Sequence, residues 1–357
     1  MKKSLLALAA LTAFAGVASA QSSVTLFGII DANMRNVKNS SGSLKTLSTD
    51  GAGSSRLGLR GVEDLGGGMR ASFWLEGSVN VDVGGGAKTA ATANGSTANG
   101  QDWQRRATVS LAGGFGEIRL GRDYTPDFWN HTVFDPFGTN GVGASTNLFN
   151  ATASGGATTI VRANNSVGYF LPGGLGGVYG QAMLAAGEGA SGNKHLGFRI
   201  GYAAGPLNVA FAYGKTDVTA GPPSVDWKRM NLGASYNLGF MTLMGQYIAA
   251  DVSGGASNGV ETTNYLLGAN IPVGSGMIKL SYVKSDGDGA TAAQKARDAT
   301  QFAAGYQYSL SKRTMVYGHY ARISNKSGAN YTASSGGLAN AAGKGSTGYE
   351  FGINHAF

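Results

Sequence analysis

The side chains in this sequence that could do chemistry are few in kind. No cysteine occurs among the 357 residues, which removes disulfide frameworks, thiolate metal sites and cysteine nucleophiles together. The four histidines, His131, His195, His319 and His355, have no spacing that sets two of them on one metal, and no cofactor is expected. GEGASG at 187–192 matches a dinucleotide fingerprint as a string, but a strand pattern follows it, so no helix N-terminus is offered to a phosphate. GASNG at 255–259 matches a nucleophile elbow, yet it sits in a polar loop with no strand-to-helix turn and no evident triad. What remains is arginine. Arg56, Arg106 and Arg162 stand 8, 7 and 10 residues before turn signals at Asp64, Gly113 and Pro172.

Strands must carry them. Helical 3.6-residue periodicity is absent from residue 21 onward, whereas alternation with period 2 recurs. Leu196, Phe198, Ile200 and Tyr202 alternate with Gly197, Arg199 and Gly201, and Leu207, Val209, Phe211 and Tyr213 alternate with Asn208, Ala210, Ala212 and Gly214. The 59 glycines and a charged fraction of only 13% fit many strands joined by tight turns better than an ordinary cytosolic enzyme. The longest uncharged run, 163–187, holds Pro172 and several glycines, so it divides into two strands around a turn.

Connections alternate in length. Short turns are read near 64–68, 113–116, 172–176, 204–206, 237–239, 272–276 and 309–312. Long polar stretches are read near 37–53, 81–102, 124–158, 187–193, 217–226, 251–261, 286–298 and 325–346. Seven turns and eight loops join sixteen strands. Short turns on one rim and long loops on the other predict an all-β fold, a sixteen-stranded antiparallel transmembrane β-barrel. An even strand count lets the first and last strands pair and leaves no edge. Tyr349, Phe351, Ile353, His355 and Phe357 share one face of the final strand. At the other end, Lys2 and Lys3, the apolar stretch Leu5 to Val17 and Ala18-Ser19-Ala20 read as a cleavable signal peptide over 1–20, leaving 21–357 as the barrel.

Strand parity then points the charges. With Leu57 and Leu59 toward lipid, Arg56 and Arg60 face inward; with Ala107, Val109 and Leu111 outward, Arg106 faces inward. Counting back from Val167 and Tyr169 puts Arg162 on the lumen side, and Glu76 and Glu117 are inward as well. The three arginines are expected roughly 20 Å above the short-turn rim, as a ladder at mid-height. Rings of arginine and lysine are a device of anion pores. Arg105 has outward parity and lies at the loop rim, from which it could fold back, so it is a weaker candidate. The 124–158 stretch is far longer than an ordinary connection, so it is either a mobile surface loop or a folded constriction.

Several segments together resemble the general porins of Gram-negative bacteria, those of beta-proteobacteria above all. They are VTLFGIIDA at 24–32, SSRLGLRGVEDLGGGMRASFWLEG at 54–77, RRATVSLAGGFGEIRLGRDYTP at 105–126, NNSVGYFLPGGLGGVYG at 164–180 and the terminal GINHAF. The resemblance implies an outer-membrane barrel, a homotrimer and a third loop folded into the lumen. DPFG at 135–138 resembles the acid-Pro-Phe-Gly motif at the tip of that loop, with Asp where Glu is commoner. Asp135 thereby becomes the acidic partner of the arginines, with Asp123 and Asp127 as additions. Phe357 resembles the terminal aromatic that the barrel-assembly machinery reads.

The expected function is a passive diffusion channel for small hydrophilic solutes, favouring anions, with lipid, small solutes and ions as its surroundings. A channel with a dedicated site for phosphate or an organic acid, and an outer-membrane hydrolase on a barrel, are the alternatives. The net charge of +8 suits nucleic acid, anionic lipid or small anions, but no basic run selects the first, and no nucleic-acid partner is expected.

Overall fold

The computed structural model describes residues 23–86, 102–149, 156–219, 224–255, 258–289, 291–334 and 338–357, so the expected leader at 1–20 and most of the 81–102 loop lie outside the described residues. The strands are β1 (Ser23–Asn39), β2 (Gly42–Thr49), β3 (Arg56–Gly66), β4 (Met69–Ser78), β5 (Arg106–Gly113), β6 (Gly116–Tyr124), β7 (Arg162–Phe170), β8 (Val178–Ala185) and β9 (Lys194–Ala204). They continue with β10 (Leu207–Asp217), β11 (Asp226–Asn237), β12 (Thr242–Ser253), β13 (Val260–Val273), β14 (Gly276–Asp288), β15 (Ala299–Ser309), β16 (Thr314–Asn325) and β17 (Ser346–Ala356). Among the described residues, two short helices, α1 (Pro126–Val133) and α2 (Ala292–Lys295), and a 3-10 turn at Ser145–Leu148 lie in loops.

All strand pairs are antiparallel, each of β3 to β16 pairs with the next in sequence, and β17 returns to β1. The lower half of β1, Ser23–Ile29, pairs with β3, while its upper half, from Ala32, pairs with β2. β2 and β3 therefore fill one position of the ring, and seventeen strands make a sixteen-stranded closed barrel. Closure leaves no row of unpaired backbone groups, which is the condition for lying in hydrocarbon.

The one marked departure from expectation is at 37–53, read as a long loop. There β1 runs on to Asn39, turns tightly and returns as β2. The stretch is polar on both faces of β2: Leu44, Thr46 and Ser48 line a water-accessible cavity, and Ser43, Lys45 and Leu47 alternate with them on the other face. Polarity, the sign of a loop in most folds, is here the sign of a wet strand. The interruption at 50–55 wraps the buried carboxylate of Asp31, which accepts from the amides of Gly51, Ala52 and Gly53 at 2.9, 3.0 and 3.0 Å and from Tyr317 Oη and Asn354 Nδ2 at 2.5 and 2.8 Å.

The seven short turns fall where the sequence puts them, with Gly67-Gly68 between β3 and β4 and Gly205-Pro206 between β9 and β10. Outward strand positions carry exposed Leu, Ile, Val, Phe and Tyr, such as Leu196, Phe198, Ile200 and Tyr202 on β9, as a surface solvated by lipid requires. The buried apolar cluster lies inside instead, where Phe137, Val142 and Leu148 pack on Leu266, Val283 and Ile323 of the wall.

At the seam, Gly28 N donates to Phe357 O and Phe357 N to Gly28 O, both at 3.1 Å. A Cβ on Gly28 would fall inside the Phe357 ring. Gly28→Val is expected to cost about 1–3 kcal/mol through overpacking. Gly245→Val, whose nearest neighbour is Leu266 O at 3.8 Å, serves as control. Unfolding temperatures from the folded and unfolded bands in semi-native electrophoresis check this, and equal shifts would count against a tight seam.

Candidate functional site

The described residues of the connection between β6 and β7, 125–149 and 156–161, fold inward, and their course follows the glycines of the wall. Lumen-facing Gly197 of β9, Gly214 of β10, Gly233 of β11, Gly268 of β13, Gly305 of β15 and Gly348 of β17 lie beneath Pro126, Asp127, Phe134, Pro136, Phe137 and Val142 in turn. A Cβ at Gly214 would stand 2.6 Å from Asp127 Oδ1, one at Gly348 2.9 Å from Val142 Cγ1, and those at Gly233 and Gly268 would overlap Phe134 and Pro136. Any larger residue there would hold the loop off the wall.

Polar fastenings alternate with these contacts. Arg229 of β11 donates its Nε to Asp127 Oδ2 at 2.6 Å, and His195 Nε2 lies 3.7 Å from Asp127 Oδ1. Asn130 Nδ2 donates to Asn231 Oδ1 at 3.0 Å, and Gln246 to the carbonyl of His131 at 2.8 Å. Lys279 Nζ reaches the carbonyl of Pro136 at 2.7 Å, and Gln301 the carbonyls of Gly143 and Ala144 at 3.1 and 3.0 Å. Glu350 accepts from the Val142 amide at 3.2 Å while paired with Arg35 at 2.7 Å and His319 at 2.9 Å. Beside it Gly141 (φ +67) lets the chain pass where a Cβ would meet Glu350.

Inside the loop, Asp135 folds back on its own turn. It accepts from the amides of Phe137, Thr139 and Ser145 at 2.9, 3.2 and 2.9 Å and from Ser145 Oγ at 2.6 Å. Ser145 Oγ lies 2.7 Å from His131 Nε2. The trio contains the residue types of a hydrolase in the wrong order: serine stands between the acid and the imidazole with its proton committed to the acid, and all three are buried. Burial pushes the Asp135 carboxyl above the usual carboxylate range, and burial, aided by the Arg229 charge, pushes His131 down to about 3.

The loop leaves the β3–β8 side of the wall uncovered. A cavity of about 600 Å³ lies there, lined by Arg56, Arg106, Arg119 and Arg199, by Glu76 and Asp123, and by aromatic residues including Trp129 of α1. The arginines are held by rings as well as by acids. Arg106 lies 4.6 Å from the Trp74 ring, Arg119 4.0 Å from Phe170 and Arg199 4.7 Å from Tyr179. On the long-loop side of the connection, a second cavity of about 670 Å³ is lined by a single arginine, Arg35, with Asp50 and Asp82.

A sequence model for a family described as Gram-negative porin matches residues 7–328. The chain belongs to the Gram-negative porin family. Outer membrane porin protein 32 of Delftia acidovorans is 40% identical over 371 residues, covering 100% of both chains. An outer membrane porin protein of Bordetella pertussis is 28% identical, covering 90% of this chain and 94% of its own. Among solved structures, an anion-selective porin from Comamonas acidovorans superposes with a TM-score of 0.83 at 37% identity, over 94% of this chain and 100% of that one.

In this porin the residues singled out from the sequence separate into three groups. Arg56, Arg106 and Asp123 meet at the cavity, Asp123 pairing with Arg119 at 2.6 Å and lying 3.8 Å from Arg106, and Glu76 joins them. Arg60 stacks beside Phe27 and Trp74, and Glu117 pairs with Arg119 at 2.9 Å. Arg162 is not on the lining. A bulge with Asn165 at φ 53 shifts the register, so that Gly121 opposes Ser166 but Asp123 opposes Ala163, and the alternation counted from Val167 reverses. Arg162 instead packs 4.1 Å over the Tyr124 ring and donates to its hydroxyl. Asp127 and Asp135 are buried fastenings of the loop rather than charges bared to the lumen. Arg105 does fold back from the rim, to Glu76 at 2.6 Å and Tyr124 Oη at 3.0 Å. Arg119, Arg199 and Lys279 were missed as site residues. Their inward parity was readable, but the position of the loop was not.

Two measurements test the docking. Gly233→Leu displaces Phe134 and is expected to change single-channel conductance while the far-ultraviolet dichroism of the barrel is kept; unchanged conductance would mean the loop does not rest there. Neutral, buried His131 contributes stability that is full above about pH 6.5 and is lost as pH falls toward 3. Below pH 6.5 the native porin is expected to lose about 1.4 kcal/mol per pH unit relative to His131→Gln. Unfolding temperatures of the two that run parallel from pH 7 to 4 would contradict this.

Proposed function

We propose that this porin is a passive, water-filled diffusion channel of the outer membrane for small hydrophilic solutes, with a preference for anions, and that it assembles as a homotrimer. The observation that carries the preference is the lining of the 600 Å³ cavity, where four arginines face two carboxylates. Passage narrows between the inner loop and this stretch of wall, so these charges act on an ion at short range. The Debye length at physiological salt is about 8 Å, comparable to a narrow passage, so fixed charges there are only partly screened. The inner loop adds no counter-charge, since Asp127 and Asp135 are spent on Arg229 and on the loop's own amides. The likeness to the Comamonas anion-selective porin supports the same sign. Trimer formation and the reading of Phe357 by the assembly machinery both rest on the likeness to the family.

Reversal potentials across a salt gradient test the preference. Replacing Arg56, Arg106 and Arg119 together by Gln is expected to lower the anion-to-cation permeability ratio severalfold, and raising the salt is expected to weaken the native preference. Identical reversal potentials for native and triple-Gln channels would place the selective region elsewhere.

A further inference from the structure

The cavity on the arginine side contains a feature that charge selection alone does not need. Trp129 is 39% exposed. Among the described residues, the other exposed aromatic side chains stand on outward-facing strand positions or in the short turns, where lipid or the interface solvates them. Trp129 is on α1, inside the barrel, and lines the cavity together with Arg56, Arg106, Arg119 and Arg199. Its one ring contact is a tilted approach to Tyr124 at 5.5 Å. An indole kept wet inside a lumen is an unused stacking surface.

The barrel wall supplies the complement. Arg106 has one side against Trp74, and its Nε donates to Thr108 Oγ1 at 3.0 Å. Among the described residues its two terminal nitrogens have no hydrogen bond within the protein, and its nearest acid, Asp123, is 3.8 Å from Nε and already bound to Arg119 at 2.6 Å. A guanidinium with its flat side braced on a ring and its outer N–H edge open is set to take a carboxylate in two parallel hydrogen bonds. Wet indole and open guanidinium edge share one cavity of about 600 Å³, roomy enough for a single-ring acid with its water.

We propose that this cavity is a binding subsite for planar aromatic carboxylates, with Arg106 taking the carboxylate and Trp129 stacking on the ring. The inference rests on the anion-channel reading and narrows it to a solute class. The subsite favours a flat ring over a saturated one of equal charge, because only the flat ring can make an offset stack on the indole.

Benzoate and cyclohexanecarboxylate match in charge and carbon number and differ in planarity. In planar bilayers, benzoate is expected to half-block the native current at a concentration about fivefold or more below that of cyclohexanecarboxylate, the discrimination that one aromatic stack supplies. Trp129→Leu is expected to bring the two acids to parity, Trp129→Phe to retain most of the difference, and Arg106→Gln to weaken block by both acids alike. Equal block by the two acids in the native channel, or a benzoate preference that survives Trp129→Leu, would overturn the subsite. Failure of the anion-channel reading is separate, since it would show as a native reversal potential without anion preference.

Discussion

Pairing of β17 with β1 is the constraint from which the rest of the molecule follows. In hydrocarbon every backbone amide and carbonyl must find a partner within the protein, so the sheet has to meet itself. The register from Ile29 opposite Ala356 to Lys38 opposite Thr347 closes the ring. The mutual hydrogen bonds of Gly28 and Phe357 extend it to the last residue. Once the ring is closed, alternation has only two destinations: apolar residues go out to lipid and polar residues go in to water. The interior is then far too wide for side chains to fill, and chain folded inward occupies part of it while the rest stays open.

The inner loop does that, and the wall is built unequally to receive it. From β9 to β17 the inward positions beneath the loop are glycines, with arginine, lysine, glutamine and glutamate between them as fastenings. From β3 to β8 they carry arginines and aromatic rings. One side of the barrel is thus a bed and the other a charged face, and the open space lies between them. The asymmetry explains why buried acids on the loop do not neutralise the lumen: each is already bonded to the bed or to its own turn.

Holding arginines in water without cancelling them is the second problem the wall solves. Acids alone would fix the guanidinium groups but remove their field. Here Glu76 holds Arg56, Glu117 and Asp123 hold Arg119, and Trp74 braces Arg106 from the side, leaving its outer edge open to the cavity. Quadrupole attraction from a ring is worth about 0.5–2 kcal/mol, enough to favour one rotamer without consuming the hydrogen-bonding edge.

What the sequence determined by itself was most of what depends on neighbours along the chain. Period-2 alternation, the tight turns and the long loops set an even, sixteen-position barrel, and parity pointed Arg56 and Arg106 into the lumen, because a pleated strand fixes side-chain direction locally. Parity failed at Arg162, where one extra residue around Asn165 reverses the count, and a bulge leaves no mark in a stretch such as RANNSV. The 37–53 segment was misread because the outward positions of β2 are Ser43, Lys45 and Leu47, too polar to show an apolar alternation. The roles of Asp127 and Asp135 were beyond reach for a different reason. Whether a carboxylate bares its charge or spends it depends on Arg229, 102 residues away, and on where Ser145 returns in the folded loop. Only the closed barrel brings those partners together, because the loop can lie on the wall only where six glycines from separate strands have already been lined up beneath it.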